Sequence, residues 1–371
     1  MANVKIGIVG IGAISGIYLE NITNMFKEIE IIGVCDLIRE RAEKAVADYN
    51  IPKLYNDMHE LFADPEVDIV LNLTRPYEHY DVSMAAIAAG KHVYSEKPLG
   101  ATLDEGKKIA AAADAAGVML GGAPDTFLGA AIQTARKLID DGMIGTPVGA
   151  SAFMVCRGHE TWHPDPEFYY KHGGGPLFDM GPYYLTALVN LLGGISSVSG
   201  MARASFAQRT ITSDPKFGEI IDVDVPTYIT GMLQFESGAI GTIFTTFDAH
   251  IAEVPRIEIY GSAGTLSVPD PNCFGEGGDV RLYRPEAKEF LTMPNMFGYP
   301  TNSRALGLAD MAKAVQTERE FRASVKVTYH VLEVMSGILQ SAKDGANVAI
   351  ESKMCRPAPM VPATLPGYFE V

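Results

Sequence analysis

Five short apolar runs, VKIGIVG, EIIGVCD, DIVLNLT, KHVYSEK and GVMLGGAP, alternate with helix-like segments such as RERAEKAVADYN, HYDVSMAAIAAG and TLDEGKKIAAAADAAG through the first third of the chain. Strands separated by helices return in the same direction, so this rhythm predicts a parallel α/β sheet. The first strand leads into GIVGIGAIS and then a helix, ISGIYLENITNMF. Glycines at 10 and 12 let the backbone approach a pyrophosphate lying on the helix N-terminus, with Ser15 in place of the usual third Gly or Ala. Gly10, Gly12, Ala13, Ile14 and Ser15 are therefore expected to line a dinucleotide. The next strand ends in Asp36, where a carboxylate bonds both ribose hydroxyls of NAD and repels the 2′-phosphate of NADP. Arg39 and Arg41 follow closely; they either face the adenine or form a solvated helix face.

From about residue 125 the pattern changes. DTFLGAAIQTARKLIDDG reads as one long amphipathic helix with Asp125 as its N-cap. PTYITGMLQFESGAIGTIFTTFDA reads as two strands about an ESG turn, and RIEIYGSAGTLSV as a hairpin about GSAG. SVKVTYHVLEVMSGILQSAK reads as a closing helix. The expected fold class is α/β, with residues 1–124 forming a Rossmann domain and residues 125–371 an α+β domain with an antiparallel-rich sheet. A chain of 371 residues, 47% of them hydrophobic, is long enough to give each domain its own core.

Charge and cysteine usage narrow the partners. With 30 Lys and Arg against 45 Asp and Glu, the net charge of −15 repels nucleic acid and anionic membranes. The four cysteines show neither CxxC spacing nor a disulfide framework. MANVKIGIVGIG does not fit a signal peptide and no apolar run is long enough to span a membrane, so a cytoplasmic location is expected.

Three further motifs carry chemistry. YSEKPLG places Glu96, Lys97 and Pro98 at the carboxyl end of a strand, where open α/β sheets bind ligands. TRPYEH occupies 74–79, and GGGPLFDMGPYY at 173–184 precedes the apolar stretch LTALVNLLGG. If that stretch is one helix, Asp179 and Tyr183 project from a single face near its start. HETWH, at 159–163, matches the HExxH pattern of zinc proteases, but Pro164 and Pro166 oppose a helix there, and a metal-free loop is expected.

The glycine turn, TRPYEH, EKPLG and GGGPLFDMG, in this order and spacing, resemble the Gfo/Idh/MocA oxidoreductase family over nearly the whole chain. The resemblance implies a Rossmann domain followed by an α+β domain whose open sheet joins subunits into a dimer or tetramer, and NAD(P)-linked chemistry on carbohydrate-like hydroxyls. It makes Lys97 the residue touching both substrate and cofactor, and puts Glu96 by the nicotinamide ribose. Thr74 and His79 take the first and last places of the family's TPNxxH segment, with Arg75 and Pro76 departing from its Pro-Asn. Asp179 matches GGGxxxDxGxH, but Tyr183 stands where His is usual. Tyrosine is the weaker acid by about three units, and serves only with a cation such as Lys97 beside it.

The reading is an NAD-dependent dehydrogenase of a secondary hydroxyl on a sugar, a glycoside, with C3 preferred, or a cyclitol. Lys97 would polarise the hydroxyl, Tyr183 accept the proton and Asp179 orient substrate. His163 is the reserve base. Trp162, the only Trp, either stacks on a sugar or plugs the domain interface, and His250 is a lone histidine with no assigned role. Two alternatives stay open: a redox-cycling glycosidase that regenerates NAD, and a sugar-sensing regulator without catalysis.

Overall fold

The computed structural model describes residues 3–362. Six strands, β1 (Val4–Val9), β2 (Ile29–Cys35), β3 (Lys53–Leu54), β4 (Ile69–Asn72), β5 (His92–Ser95) and β6 (Leu120–Gly122), form a parallel sheet of order β3-β2-β1-β4-β5-β6. The helices between them are α1 (Ser15–Asn24), α2 (Arg39–Tyr49), the short α3 (Met58–Ala63), α4 (His79–Ala88) and α5 (Leu103–Ala116). The strand order reverses direction beside β1, which opens a crevice at the carboxyl ends of β1 and β4. Strands such as β1 and β4 are apolar almost throughout because both faces are covered. α5 starts with a capping box in which Thr102 and Glu105 satisfy each other's backbone N–H groups, and ends on Gly117 in the left-handed region.

After β6 the expected long helix is interrupted. Thr126–Leu128 is a single 3-10 turn, Gly129 is extended, and α6 begins only at Ala130, running to Asp140. The cause is a close approach: a Cβ on Gly129 would sit 2.6 Å from the Phe274 Cα, and Ala131 donates its N–H to the Phe274 carbonyl at 2.9 Å. Asp125 does not cap this helix either. Its carboxylate accepts the Gly307 N–H at 3.0 Å, and so caps the distant helix α9 (Leu306–Thr317) instead. Burial pushes the Asp125 carboxyl up to about 6, with the Gly307 N–H opposing. Because the folded state then holds a proton that the unfolded chain releases, stability falls as pH rises between about 4 and 6. Asp125→Asn keeps an acceptor for Gly307 but carries no charge. Urea midpoints are expected to show the variant gaining on the parent across that window, and parallel pH profiles would disprove the assignment.

The second domain is built on a mixed nine-stranded sheet of order β16-β15-β14-β13-β7-β12-β11-β8-β17. Its strands are β7 (Pro147–Val155), β8 (Ile195–Arg203), β11 (Tyr228–Phe235), β12 (Ile240–Thr246), β13 (Ile257–Gly261), β14 (Thr265–Val268), β15 (Val280–Tyr283), β16 (Phe290–Met293) and β17 (Val348–Ala349); β9 (Gln208–Thr210) and β10 (Ile220–Asp222) form a separate hairpin. Every neighbouring pair is antiparallel except β7 with β12. Helices α7 (Gly175–Asp179), α8 (Gly181–Leu192) and α10 (Val325–Asp344) join α6 over one face. α10 also packs on α5 and β6, tying the two domains together. It does not close the chain: β17 follows, and the tail returns along α6, where Met360 donates to Gln133. Residues 363–371 of the expected second domain lie outside the described residues.

Among the described residues, the sheet's other face is exposed along β8, β11 and β12. β11 alternates exposed and buried residues along its whole length. Its outward Tyr228 and Met232 stand beside Met201 of β8 and Ile240 of β12, and the Tyr228 ring meets Phe244 at 4.9 Å.

Candidate active site

A cleft of about 1030 Å³ runs between the two domains, from the glycine turn to the helical face of the second sheet. Gly10 has φ +95°, and a Cβ there would meet the Leu73 carbonyl carbon at 2.9 Å, so only glycine lets β1 turn this close to β4. Gly12 has nothing within 4 Å of where a Cβ would stand, which leaves an open cradle in front of α1. The Ser15 N–H donates to the Gly12 carbonyl at 3.2 Å and no side chain caps the helix, so the N-terminal end of α1 faces the cradle with its dipole available to an anion. Ala13, Ile14 and Ser15 line the cleft, with the Ser15 hydroxyl bonded back to the Gly12 carbonyl. Asp36 accepts the Ile11 N–H at 2.6 Å and the Ile38 N–H at 2.7 Å, fixing its carboxylate at the end of β2 beside the turn. These residues fit a dinucleotide. Arg39 is tied to Glu43 and Asn56 on the outer helix face, whereas Arg41 lines the cleft.

Thr74 lies on the cleft wall, its N–H and hydroxyl both bonded to Asn72. His79, expected to bind cofactor, sits behind that wall. It is fully buried, with one ring nitrogen 2.7 Å from the Pro98 carbonyl and the other 3.0 Å from the Thr74 carbonyl. The ring is wedged between the Thr74 loop and the EKP turn, and its single N–H donates to one of the two carbonyls. Glu96 accepts from the Tyr18 hydroxyl at 2.7 Å and from the Lys97 N–H at 3.0 Å.

Lys97, Asp179 and Tyr183 come together opposite this turn. Asp179 and Tyr183 do not share one helix: α7 ends at Asp179, Met180 breaks the path and α8 starts at Gly181. The break brings the Asp179 main-chain carbonyl and its Oδ1 each to 2.8 Å from Lys97 Nζ. The ammonium also lies 5.2 Å from the centre of the Tyr183 ring. Burial alone would raise the Asp179 carboxyl, but the Lys97 ammonium and His159 outweigh it and hold it well below the usual carboxylate range. Burial would likewise depress Lys97, yet Asp179, with Tyr183 and Glu96, lifts it above its ordinary value. Lys97 is a fixed cation with three N–H groups.

Two members of this cluster lie in no motif that points to their role here. Arg304, just before α9, points a guanidinium nitrogen at the Tyr183 hydroxyl oxygen, 3.5 Å away, and is anchored on Asn272 at 2.7 Å. His159 bonds the second Asp179 oxygen at 2.8 Å through Nε2. Within HETWH, therefore, it is the first histidine that reaches the cluster. His163 lies farther along the cleft wall, its Nδ1 accepting the Asp165 N–H. Trp162 is 60% exposed at the rim, so it does not plug the domain interface. HETWH itself is a 3-10 turn over His159–Thr161, and no group of three or more metal-ligating side chains occurs among the described residues. His250 is exposed in the loop after β12, off the cleft wall.

Comparison with known proteins agrees with this architecture. Residues 4–122 match the model of an oxidoreductase family with an NAD-binding Rossmann fold, and residues 132–267 match the GFO/IDH/MocA C-terminal domain. The myo-inositol 2-dehydrogenase of Thermotoga maritima is 27% identical over 71% of this chain and 74% of its own length. The 1,5-anhydro-D-fructose reductase of Ensifer adhaerens is 26% identical over 87% of this chain and 92% of its own. Among solved structures, an NAD binding oxidoreductase from Klebsiella pneumoniae superposes with a TM-score of 0.79 at 26% identity, covering 94% of this chain and 99% of that one. A levoglucosan dehydrogenase in complex with NADH shares the fold, with a TM-score of 0.81 at 20% identity over 95% and 100% of the two chains. No described helix is long and apolar enough to cross a membrane. The two matched domains together span most of the chain, which makes it an oxidoreductase of the Gfo/Idh/MocA family with an NAD-binding Rossmann domain.

Proposed function

We propose that the protein is a cytoplasmic NAD-dependent dehydrogenase that oxidises a secondary hydroxyl of a cyclitol, sugar or glycoside. The observation that carries this reading is the Lys97 ammonium between Asp179 and Tyr183. Two of its three N–H groups are spent on Asp179, so the third is left for a substrate oxygen in the cleft. Tyr183 accepts the hydroxyl proton. The phenol lies between two cations, with the Lys97 ammonium over its ring and an Arg304 guanidinium nitrogen 3.5 Å from its hydroxyl oxygen. Bound NAD supplies the hydride acceptor. Glu96, beneath the EKP turn, and Thr74 face the nicotinamide end, and Trp162 and His163 form the outer rim against which a sugar ring stacks.

The names of the relatives point to cyclitols and anhydro-sugars. The direct test is absorbance at 340 nm with NAD+ and myo-inositol, scyllo-inositol, levoglucosan and methyl glycosides, the last reporting on oxidation at C3. Stoichiometric NADH identifies a dehydrogenase. Glycoside cleavage without net NADH would instead identify the redox-cycling glycosidase, and silence across a broad panel with NAD bound would favour a sensor.

Cofactor choice follows from Asp36, whose carboxylate would face a 2′-phosphate at close range. NAD+ is expected to bind at least about ten-fold more tightly than NADP+ by calorimetry, and Asp36→Ala to narrow that ratio. Equal affinity in the parent would mean that Arg41 outweighs Asp36.

The exposed sheet face fits a second copy of the chain. Met201, Met232 and Ile240 are 76%, 58% and 60% exposed on adjacent strands, an apolar patch that a monomer would leave in water. Light scattering is expected to show a dimer or tetramer, and Met232→Lys with Ile240→Lys to dissociate it. A monomeric parent would overturn this assignment.

A further inference from the structure

All five side chains of the HETWH turn are engaged in hydrogen bonds. Glu160 is buried, and its carboxylate takes a guanidinium N–H of Arg209 at 3.0 Å and the Tyr170 hydroxyl. Its carbonyl accepts the Thr212 N–H at 2.8 Å, so the turn is held from beneath by the β9–β10 hairpin. Above that anchor, His159 is packed among the rings of Tyr169, at 4.1 Å, and Phe247, at 4.7 Å. Its two nitrogens have different partners. Nε2 faces Asp179 Oδ2, while Nδ1 lies 3.2 Å from Trp162 Nε1.

The indole N–H can only donate, so His159 Nδ1 must be the acceptor and Nε2 must carry the hydrogen. The result is a directed chain: Trp162 Nε1–H to His159, His159 Nε2–H to Asp179, and Lys97 Nζ–H to the other Asp179 oxygen. We propose that His159, whose Nε2–H tautomer both the Asp179 carboxylate and the Trp162 indole require, is a positioning residue that fixes the plane of the Asp179 carboxylate and thereby the direction of the one Lys97 N–H left for substrate. A carboxylate held only by Lys97 can rotate about its last bond. Held at both oxygens, it cannot, and misplacement of a polarising group by about 1 Å costs on the order of 100-fold in rate. This gives Trp162 a function apart from stacking on a sugar.

The inference deepens the dehydrogenase reading, and its kinetic arm rests on that reading; its tautomer arm does not. Imidazole nitrogen shifts of 15N-histidine protein near pH 7.5, with the His159 signals assigned by their loss in His159→Gln, are expected to show the Nε2–H tautomer in the parent. In Trp162→Phe, which keeps a ring but lacks the donor, the Nε2–H form should persist, since the Asp179 carboxylate can only accept, while the Nδ1 signal should move as it loses its hydrogen bond from the indole. An Nδ1–H or doubly protonated His159 in the parent, or an unmoved Nδ1 signal in Trp162→Phe, would overturn the proposal. For the substrate that the 340 nm panel selects, His159→Ala is expected to lower kcat roughly 10- to 100-fold with NAD affinity unchanged. His159→Gln, whose amide N–H can still reach Asp179, should recover most of that loss.

A rise in KM alone for His159→Ala would make His159 a substrate contact, and failure of His159→Gln to recover would make it packing; either result sinks the idea. Should Tyr183→Phe turn over at the parent rate while His159→Ala and His159→Gln behave as described, the base assignment falls and the positioning role stands. If the panel yields no substrate, the tautomer measurement decides alone.

Discussion

Tyr183→Phe is expected to lower kcat by about 100- to 10,000-fold while leaving NAD affinity at the parent value, the range for removing a positioned acid/base. The substitution is clean because the ring is 6% exposed and stays packed beneath the two cations, so only the hydroxyl is lost. Lys97→Met should fall at least as far, since it removes the donor aimed at substrate and leaves Asp179 buried with only His159 beside it. Circular dichroism and NAD calorimetry on both variants separate lost chemistry from lost structure. Were Tyr183→Phe to keep the parent rate, the proton would have to go elsewhere. The next acceptor on the cleft wall is His163, which burial keeps below the ordinary histidine value and therefore neutral at physiological pH, with Nδ1 already engaged by Asp165.

How far the sequence reaches is clearest in this cluster. Lys97, Asp179 and Tyr183 are legible because each sits in a short contiguous motif whose backbone context, a strand end or a glycine-rich helix start, can be read locally. The geometry that joins them is less so. A continuous helix from 176 to 192 satisfies the apolar pattern as well as two helices with a break at Met180 do, and only the break lets Lys97 reach the Asp179 carbonyl. Arg304 and His159 lie in no motif that points to their role. Arg304 arrives from a segment 121 residues away from Tyr183, and HETWH mimics a zinc pattern while its first histidine bonds a carboxylate. Asp125 fails as a cap for the same reason. An aspartate before a helix is a good local cap, but here tertiary packing of Gly129 on Phe274 displaces the helix start and frees the carboxylate for Gly307. The hairpins about ESG and GSAG are where sequence reading and structure agree best, because their register is fixed by local turn chemistry and a period of two.

Removing Arg209 is expected to have the largest effect on stability among these sites. Its guanidinium is buried between two buried carboxylates, donating to Glu160 at 3.0 Å and to Asp248, with a further N–H to the Phe247 carbonyl at 3.1 Å. Taking the cation away leaves two like charges out of water without compensation, which costs about 3–5 kcal/mol, whereas replacing a whole buried ion group by neutral side chains is often close to neutral. Arg209→Met should therefore lower the urea midpoint sharply. The triple variant Arg209→Met with Glu160→Gln and Asp248→Asn should recover about half of the loss or more, because no buried charge is then left unpaired. Activity is expected to behave differently from stability. The triple variant still lacks the ionic anchor that holds the His159 turn over Asp179, so its kcat should remain below the parent even where its midpoint is restored. A triple variant as unstable as Arg209→Met would show that the guanidinium acts through packing rather than charge. Full activity in that variant would show that the turn holds its place without Glu160 and Arg209, through the Thr212 and Ser213 contacts to its backbone carbonyls.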